Sequence, residues 1–187
     1  MAPILGIYAS QISGHLFAPS GAYDSIATAS GTGSSGVITF TSIPSTYTHL
    51  QIRWIAKSTA AGSYSWLNFN NDTASNYANH YLYGDGASAL AGADTGQARI
   101  NLYGSVSTST ASNVYTAHVV DILDYANSNK NTTVRALGGQ DNNGSGTMFL
   151  SSGLWNITTA ISAITITANT ANFTTDSKFA LYGIKGN

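Results

Sequence analysis

Short stretches of alternating apolar and polar residues, separated by turns rich in glycine and asparagine, recur from residue 22 to the end of the chain. Side chains on a β-strand point alternately to its two faces, so this alternation predicts strands with one face in a core. No long window carries a helical period. The pattern therefore predicts an all-β fold over residues 22–187, an antiparallel two-sheet sandwich that is jelly-roll-like.

Nine or ten short strands account for the pattern, and the clearest is Tyr47 to Ala56, in which Leu50, Ile52 and Trp54 share one face. The segment from Val114 to Leu123 is apolar on both faces, which predicts a central strand buried on both sides. The remaining strand segments are 37–40, 64–70, 97–103, 132–137, 146–155, 163–168 and 178–184.

Residues 1–21 differ from the rest because they hold two of the three prolines and show no lasting period. Large apolar side chains are costly to leave in water, so we expect an extended N-terminal arm that docks on a neighbouring protein rather than a disordered terminus. The residues expected to make this contact are Pro3, Ile4, Leu5, Ile7, Tyr8, Leu16 and Phe17.

Charged residues make up only 8% of the chain, and the formal net charge is -1. Protein interfaces are depleted of charge at their centres and enriched in aromatic residues, and this chain has 11 tyrosines. The composition therefore favours a protein whose faces are covered by neighbours. The alternative is a β-protein with hydroxyl-rich outer faces that has no such role.

Several classes of partner and location are disfavoured by the sequence. The seven Lys and Arg residues are scattered rather than clustered, so no nucleic-acid surface is expected. No apolar run is long enough to span a bilayer, and no secretory signal is recognisable, so no membrane association is expected. The absence of cysteine rules out disulfides and thiolate metal sites and fits synthesis in a reducing cytoplasm.

Residues with catalytic chemistry are sparse. The eight acids are all aspartates, and Asp121 and Asp124, three apart on a strand, should face opposite sides. The four histidines lack metal-ligand spacing, and His49 and His118 lie on strand segments, where hydrogen-bonded structural histidines are expected. The sequence therefore predicts no catalytic residues, no cofactor and no metal site.

Two asparagine-rich segments, 70–73 and 141–144, offer oxygen ligands for calcium. Neither has the acid spacing of an EF-hand loop or its closing glutamate, so we interpret both as turns.

An aromatic group with polar neighbours is the strongest candidate for a binding surface. Its residues are Tyr77, His80, Tyr81 and Tyr83, close to Asp85. Sugar sites combine aromatic faces with such hydrogen-bonding groups, and subunit contacts use the same residue types. Both uses, a protein contact and a glycan-binding surface, stay open at this point.

Parts of the sequence resemble a group of small virion proteins of tailed bacteriophages, including phages of cyanobacteria. The resemblance is carried by residues 40–53 (FTSIPSTYTHLQIR), by 69–72 (FNND) with Asn76, Tyr77 and His80, by 179–186 (FALYGIKG) and by 3–7 (PILGI). It spans most of the chain, and its motifs are structural rather than catalytic. Members of this group are similar to head decoration (cement) proteins or to short tail-fibre and baseplate components.

The resemblance implies a non-enzymatic capsid decoration protein, located on the capsid surface of the virion. Such a protein would form a homo-oligomer, with a trimer favoured, and would bind the major capsid protein and sister copies to stabilise the head. The alternative is a tail-fibre or baseplate module that recognises a host-surface glycan. Length favours decoration, because fibres usually carry a long shaft and this chain has only a short arm. A free-standing glycan-cleaving enzyme is the weakest alternative.

Overall fold

The computed structural model describes residues 21–62, 64–105 and 111–186, and the regular structure of these residues is entirely β. In this part of the chain no helix is long and apolar enough to cross a membrane. The strands are β1 (Tyr23–Ser30), β2 (Val37–Phe40), β3 (His49–Ala56), β4 (Tyr64–Phe69), β5 (Tyr77–Gly84), β6 (Ala89–Gln97), β7 (Ile100–Ser105), β8 (Thr116–Leu123), β9 (Thr132–Asp141), β10 (Gly146–Trp155), β11 (Ile164–Ala168) and β12 (Lys178–Ile184).

The strands form two antiparallel sheets of unequal size. The large sheet has eight strands in the order β1-β12-β3-β8-β9-β10-β5-β6, and the small sheet has four in the order β2-β11-β4-β7. The predicted all-β antiparallel sandwich is therefore confirmed. The sequence pattern missed three strands, β1, β5 and β6, all of which belong to the large sheet.

The core lies between the small sheet and the inner face of the large sheet. Leu50 and Ile52 of β3 are fully buried there, and Trp54 is 4% exposed, as the alternation predicted. The small sheet contributes the buried side chains Leu67 of β4 and Ile166 of β11. Both inner faces are apolar because each strand places every second residue toward the other layer.

The small sheet covers only one face of the large sheet, and this corrects the prediction for the segment from Val114 to Leu123. Its strand, β8, is central, since it pairs with both β3 and β9. However, Val119 and Leu123 point away from the small sheet and are 37% and 42% exposed. Burial of β8 on both sides is therefore wrong for a single chain, because the described residues supply a cover for one side only.

The first asparagine-rich segment is a structural turn, as predicted. Asn70 and Asn71 adopt positive φ angles of 50° and 58°, a conformation that asparagine tolerates better than most residues. Asp72 then accepts hydrogen bonds from Trp155 Nε1 (2.7 Å), Asn76 Nδ2 (2.9 Å) and the Ala74 amide (2.9 Å). The turn thereby ties β4 to the end of β10.

Candidate interaction surface

The outer face of the large sheet, which points away from the small sheet, carries apolar side chains in register across several strands. Val119 of β8 pairs with Leu137 of β9, and Leu137 pairs with Leu150 of β10. Leu150 in turn pairs with Leu82 of β5, and Leu82 with Ala91 of β6. Because paired residues point to the same face, these side chains form one continuous row.

Every large side chain of this row is open to solvent. Val119, Leu137, Leu150 and Leu82 are 37%, 50%, 45% and 51% exposed, and Met148 in the adjacent row is 67% exposed. We call these five residues the apolar band. Isolated exposed apolar residues are normal on a protein surface, but a contiguous patch marks a contact site.

A hollow of about 780 Å³ adjoins the band beside Val119, Leu137 and Met148, between the β5–β6 and β9–β10 turns. Gly139 forms part of its lining, paired with Ala117 on one side and Met148 on the other. A Cβ at Gly139 would lie 2.7 Å from the Thr147 carbonyl oxygen, so a side chain there would require the backbone to move. The hollow is large enough to accept an aromatic or branched side chain of a docking protein.

A polar row borders the band on the same face. Asp121 accepts hydrogen bonds from Gln51 Nε2 (2.7 Å) and an Arg135 guanidinium nitrogen (2.8 Å), and Arg53 Nε donates to Gln51 Oε1 (2.6 Å). Burial alone would raise the pKa of Asp121. The bonds from Gln51 and Arg135 and the charges of Arg135 and Arg53 outweigh burial and lower that pKa. The charges of Asp121 and Arg135 next to the band are thus paired with each other, and the band itself is uncharged.

His118 lies on the inner side of β8, beneath this face. Its ring stacks on Trp54, with centroids 4.4 Å apart, and lies 4.7 Å from the Phe149 ring. It is 2% exposed, and neither ring nitrogen has a hydrogen-bond partner among the residues that the structure describes. Burial lowers the pKa of His118 to about 3, so the ring is neutral near pH 7.

The two strand histidines therefore differ. His118 is structural, but the expectation that it is hydrogen-bonded is wrong. Stacking between aromatic rings holds it instead. His49 does accept a hydrogen bond at Nδ1 from the Asp124 amide (3.0 Å).

The structure does not bring the four aromatic candidates together on one surface. Tyr77 is 1% exposed, and its hydroxyl donates to the Asp72 carbonyl and accepts from the Phe69 amide, so a surface role for Tyr77 is wrong. His80 is exposed on the outer face, opposite Ser152. Tyr81 and Tyr83 alternate with His80 along β5 and are half-buried toward the other face.

The predicted arm contacts lie outside the described residues. This applies to all seven side chains, namely Pro3, Ile4, Leu5, Ile7, Tyr8, Leu16 and Phe17. The described chain begins at Gly21, next to the edge strand β1.

The acids do not converge on a common centre. Asp124 pairs with Lys130 and also lies 3.4 Å from His49. The hydrogen bond from Lys130 and the charges of Lys130 and His49 lower the pKa of Asp124 and outweigh the opposing effect of burial. Asp141 accepts a hydrogen bond from the Asn143 amide within its own turn (2.8 Å). Among residues 21–62, 64–105 and 111–186, no three His, Cys, Asp or Glu residues are grouped as metal ligands would be.

Sequence reasoning missed the apolar band, although the sequence contained a signal for it. The two-faced apolarity of 114–123 was correctly recognised but interpreted as burial inside one chain. The same pattern indicates a strand whose second face needs a cover from elsewhere. No protein-family model matches the sequence, and no curated protein matches it either.

Proposed function

We propose that this chain is a structural protein of a tailed-phage virion that decorates the assembled capsid. It binds the major capsid protein and sister copies through protein–protein contacts, with a homotrimer as the favoured assembly. The apolar band on the outer face of the large sheet, which the described residues leave exposed, carries this proposal, and the resemblance of the sequence to small virion proteins supports it.

The chemistry of the band favours a protein partner. Burial of apolar surface gains roughly 25 cal/mol per Å², and its five large side chains are all at least one-third exposed. The neighbouring Asp121 and Arg135 are paired with each other (2.8 Å), so covering the band leaves neither charge without its partner. These are the features of an interface core with a polar rim.

Capsid binding tests the proposal through a charge placed in the band. Leu150→Asp is expected to weaken binding to undecorated capsids by at least about 100-fold, because an unpaired carboxylate buried in a contact costs several kcal/mol. The matched control is Thr39→Asp, which places the same charge on an exposed position of β2 in the small sheet. Binding is measured by co-sedimentation of purified protein with capsids across a concentration series.

Saturable binding of wild type and Thr39→Asp, with loss of binding by Leu150→Asp, supports the proposal. Equal binding of all three proteins contradicts a role for the band. Failure of the wild type to bind capsids, together with specific retention on host polysaccharide, favours a tail-fibre or baseplate module that recognises a glycan.

A further inference from the structure

We propose that residues 1–20 of the same copy cover the apolar band in the free protein and leave it when a virion partner binds there. The covering step stands on the geometry of the single chain. The release step rests on the proposed function.

The chemistry of the segment matches that of the band. Residues 1–20 contain no Asp, Glu, Lys or Arg, while Ile4, Leu5, Ile7, Leu16 and Phe17 are large and apolar. A segment without charged side chains can cover the band without burying an unpaired side-chain charge. A polar segment of equal length would gain little from this surface.

The exit point of the segment lies on the sheet that carries the band. The described chain begins at Gly21, and Tyr23 pairs with Ile184 at one end of β12. From β1 to β9 the order is β1-β12-β3-β8-β9, which is four strand spacings, or about 19 Å. The row of Val119 lies at the level of Ala180, four residues along β12 from Ile184, or about 13 Å. The diagonal from the exit to the band is therefore about 23 Å.

This distance suits a short tether. A chain of 20 residues, taken as a random coil, has a root-mean-square span of about 25 Å and a maximum reach of about 66 Å. Effective concentration is greatest when the span of a tether matches the distance to its site, and it reaches the millimolar range. A segment from another copy at micromolar concentration would compete poorly, which favours the segment of the same copy.

The hollow beside Met148 gives such a segment an anchoring position. Its lining includes Val119, Leu137 and Gly139, and Gly139 places no side chain in the hollow. Aromatic and branched side chains seated in pockets usually contribute most of the affinity of a contact. A partner that also fills this hollow would therefore displace the segment.

Thiol labelling of the purified chain tests the cover, because the natural sequence has no cysteine. Leu150→Cys reports on the band, and Thr39→Cys, exposed on the small sheet, is the control position. Each cysteine substitution is made in the full chain with three versions of residues 1–20. The first is the natural segment, the second has Ile4, Leu5 and Ile7 changed to serine, and the third has Leu16 and Phe17 changed to serine. Tryptophan fluorescence verifies an intact core in each protein.

With the natural segment, Leu150→Cys is expected to react with a bulky thiol reagent at least about 10-fold more slowly than with Ile4, Leu5 and Ile7 changed to serine. Leu16 lies only five residues before Gly21, at most about 17 Å of extended chain, so the serine changes at Leu16 and Phe17 should leave most of this protection in place. The slow rate should not depend on protein concentration, and Thr39→Cys should react equally in all backgrounds. Equal rates for Leu150→Cys with and without the serine changes at Ile4, Leu5 and Ile7 would overturn the proposal. Protection that appears only as concentration rises would also overturn it, because a second copy would then supply the cover.

No virion component enters the labelling experiment, so its failure is separate from failure of the capsid-binding test. If the band is protected from the thiol reagent but the protein does not bind capsids, the proposed covering by residues 1–20 is supported and the proposed function is contradicted.

Discussion

Replacing His118 with phenylalanine is expected to stabilise the protein at pH 7 and to remove most of its sensitivity to mild acid. The buried ring nitrogens of His118 have no hydrogen-bond partner in the described part of the chain, and an unpaired buried polar group costs about 1–3 kcal/mol. Phenylalanine keeps an aromatic ring against Trp54 and Phe149 without the two polar atoms. We therefore expect the free energy of unfolding at pH 7 to rise by about 1–3 kcal/mol.

The pH dependence follows from the protonation of the unfolded chain. Burial lowers the pKa of His118 from 6.5 to about 3, so below pH 6.5 the unfolded state takes up a proton that the folded state does not. Stability is then fully present above pH 6.5 and is lost at about 1.4 kcal/mol per pH unit as the pH falls toward 3. Between pH 6.5 and 4.5 this amounts to about 2.3 kcal/mol, before most carboxylates begin to titrate.

Urea denaturation at pH 7, 5.5 and 4.5 measures this effect for wild type and His118→Phe. The exposed His80 supplies the matched control, His80→Gln, which should retain the acid sensitivity of the wild type. If His118→Phe loses stability with falling pH as steeply as the wild type, His118 is not the group responsible.

Replacing Asp72 with alanine is expected to cost about 2–4 kcal/mol of unfolding free energy at pH 7. The change leaves the indole nitrogen of Trp155, which is 2% exposed, without its acceptor. It also removes acceptors for the Asn76 side chain and the Ala74 amide, which fix the turn after β4. Asn76→Ala, which deletes only one of these donors, should cost less than about 1.5 kcal/mol.

The pH dependence of the stability difference between wild type and Asp72→Ala provides an independent check. Burial alone would raise the pKa of Asp72, but its hydrogen bonds from Trp155, Asn76 and Ala74 lower it below 3.8. The stability contributed by the charged form is present above that pH and is lost as the pH falls through the lowered value. The difference between wild type and Asp72→Ala in urea denaturation should therefore shrink below about pH 3.8. A difference that stays constant to pH 2.5 would mean that the carboxylate charge does not matter.

Strands with strict alternation were predictable from the sequence. Burial of one face requires an apolar residue at every second position, and that pattern is visible in the sequence. In β3 and β11 the inward residues are Leu, Ile or Trp, apart from small alanines, and these strands were placed correctly. The sequence of β6 is ALAGADTGQ, and it was missed because alanine and glycine have low strand propensity. In addition, β6 is an edge strand and has few side chains that the fold buries. β5 was missed because polar Asn79 interrupts the tyrosines of its inner face while apolar Leu82 lies on its outer face, so apolar and polar residues do not alternate along it.

The candidate site was less predictable for a different physical reason. Alternation reveals which residues share a face, but not which faces the chain itself covers. Leu82, Leu137 and Leu150 come from three strands whose adjacency depends on sheet order, which local pattern does not encode. Tyr77 was mistaken for a surface residue because a tyrosine can satisfy its hydroxyl inside a core, as it does here on Asp72 and Phe69.

The unequal widths of the two sheets divide the large sheet into positions under different evolutionary demands. Inward residues such as Ile52 and Val120 must stay apolar and of similar volume for the domain to fold at all. Outward residues such as Leu137 and Met148 are not needed to form the core. Their substitution is therefore limited mainly by the protein surface that binds them. Among natural variants, substitutions at these outward positions should therefore accompany substitutions in the surface of the binding partner. The inward residues should stay nearly constant.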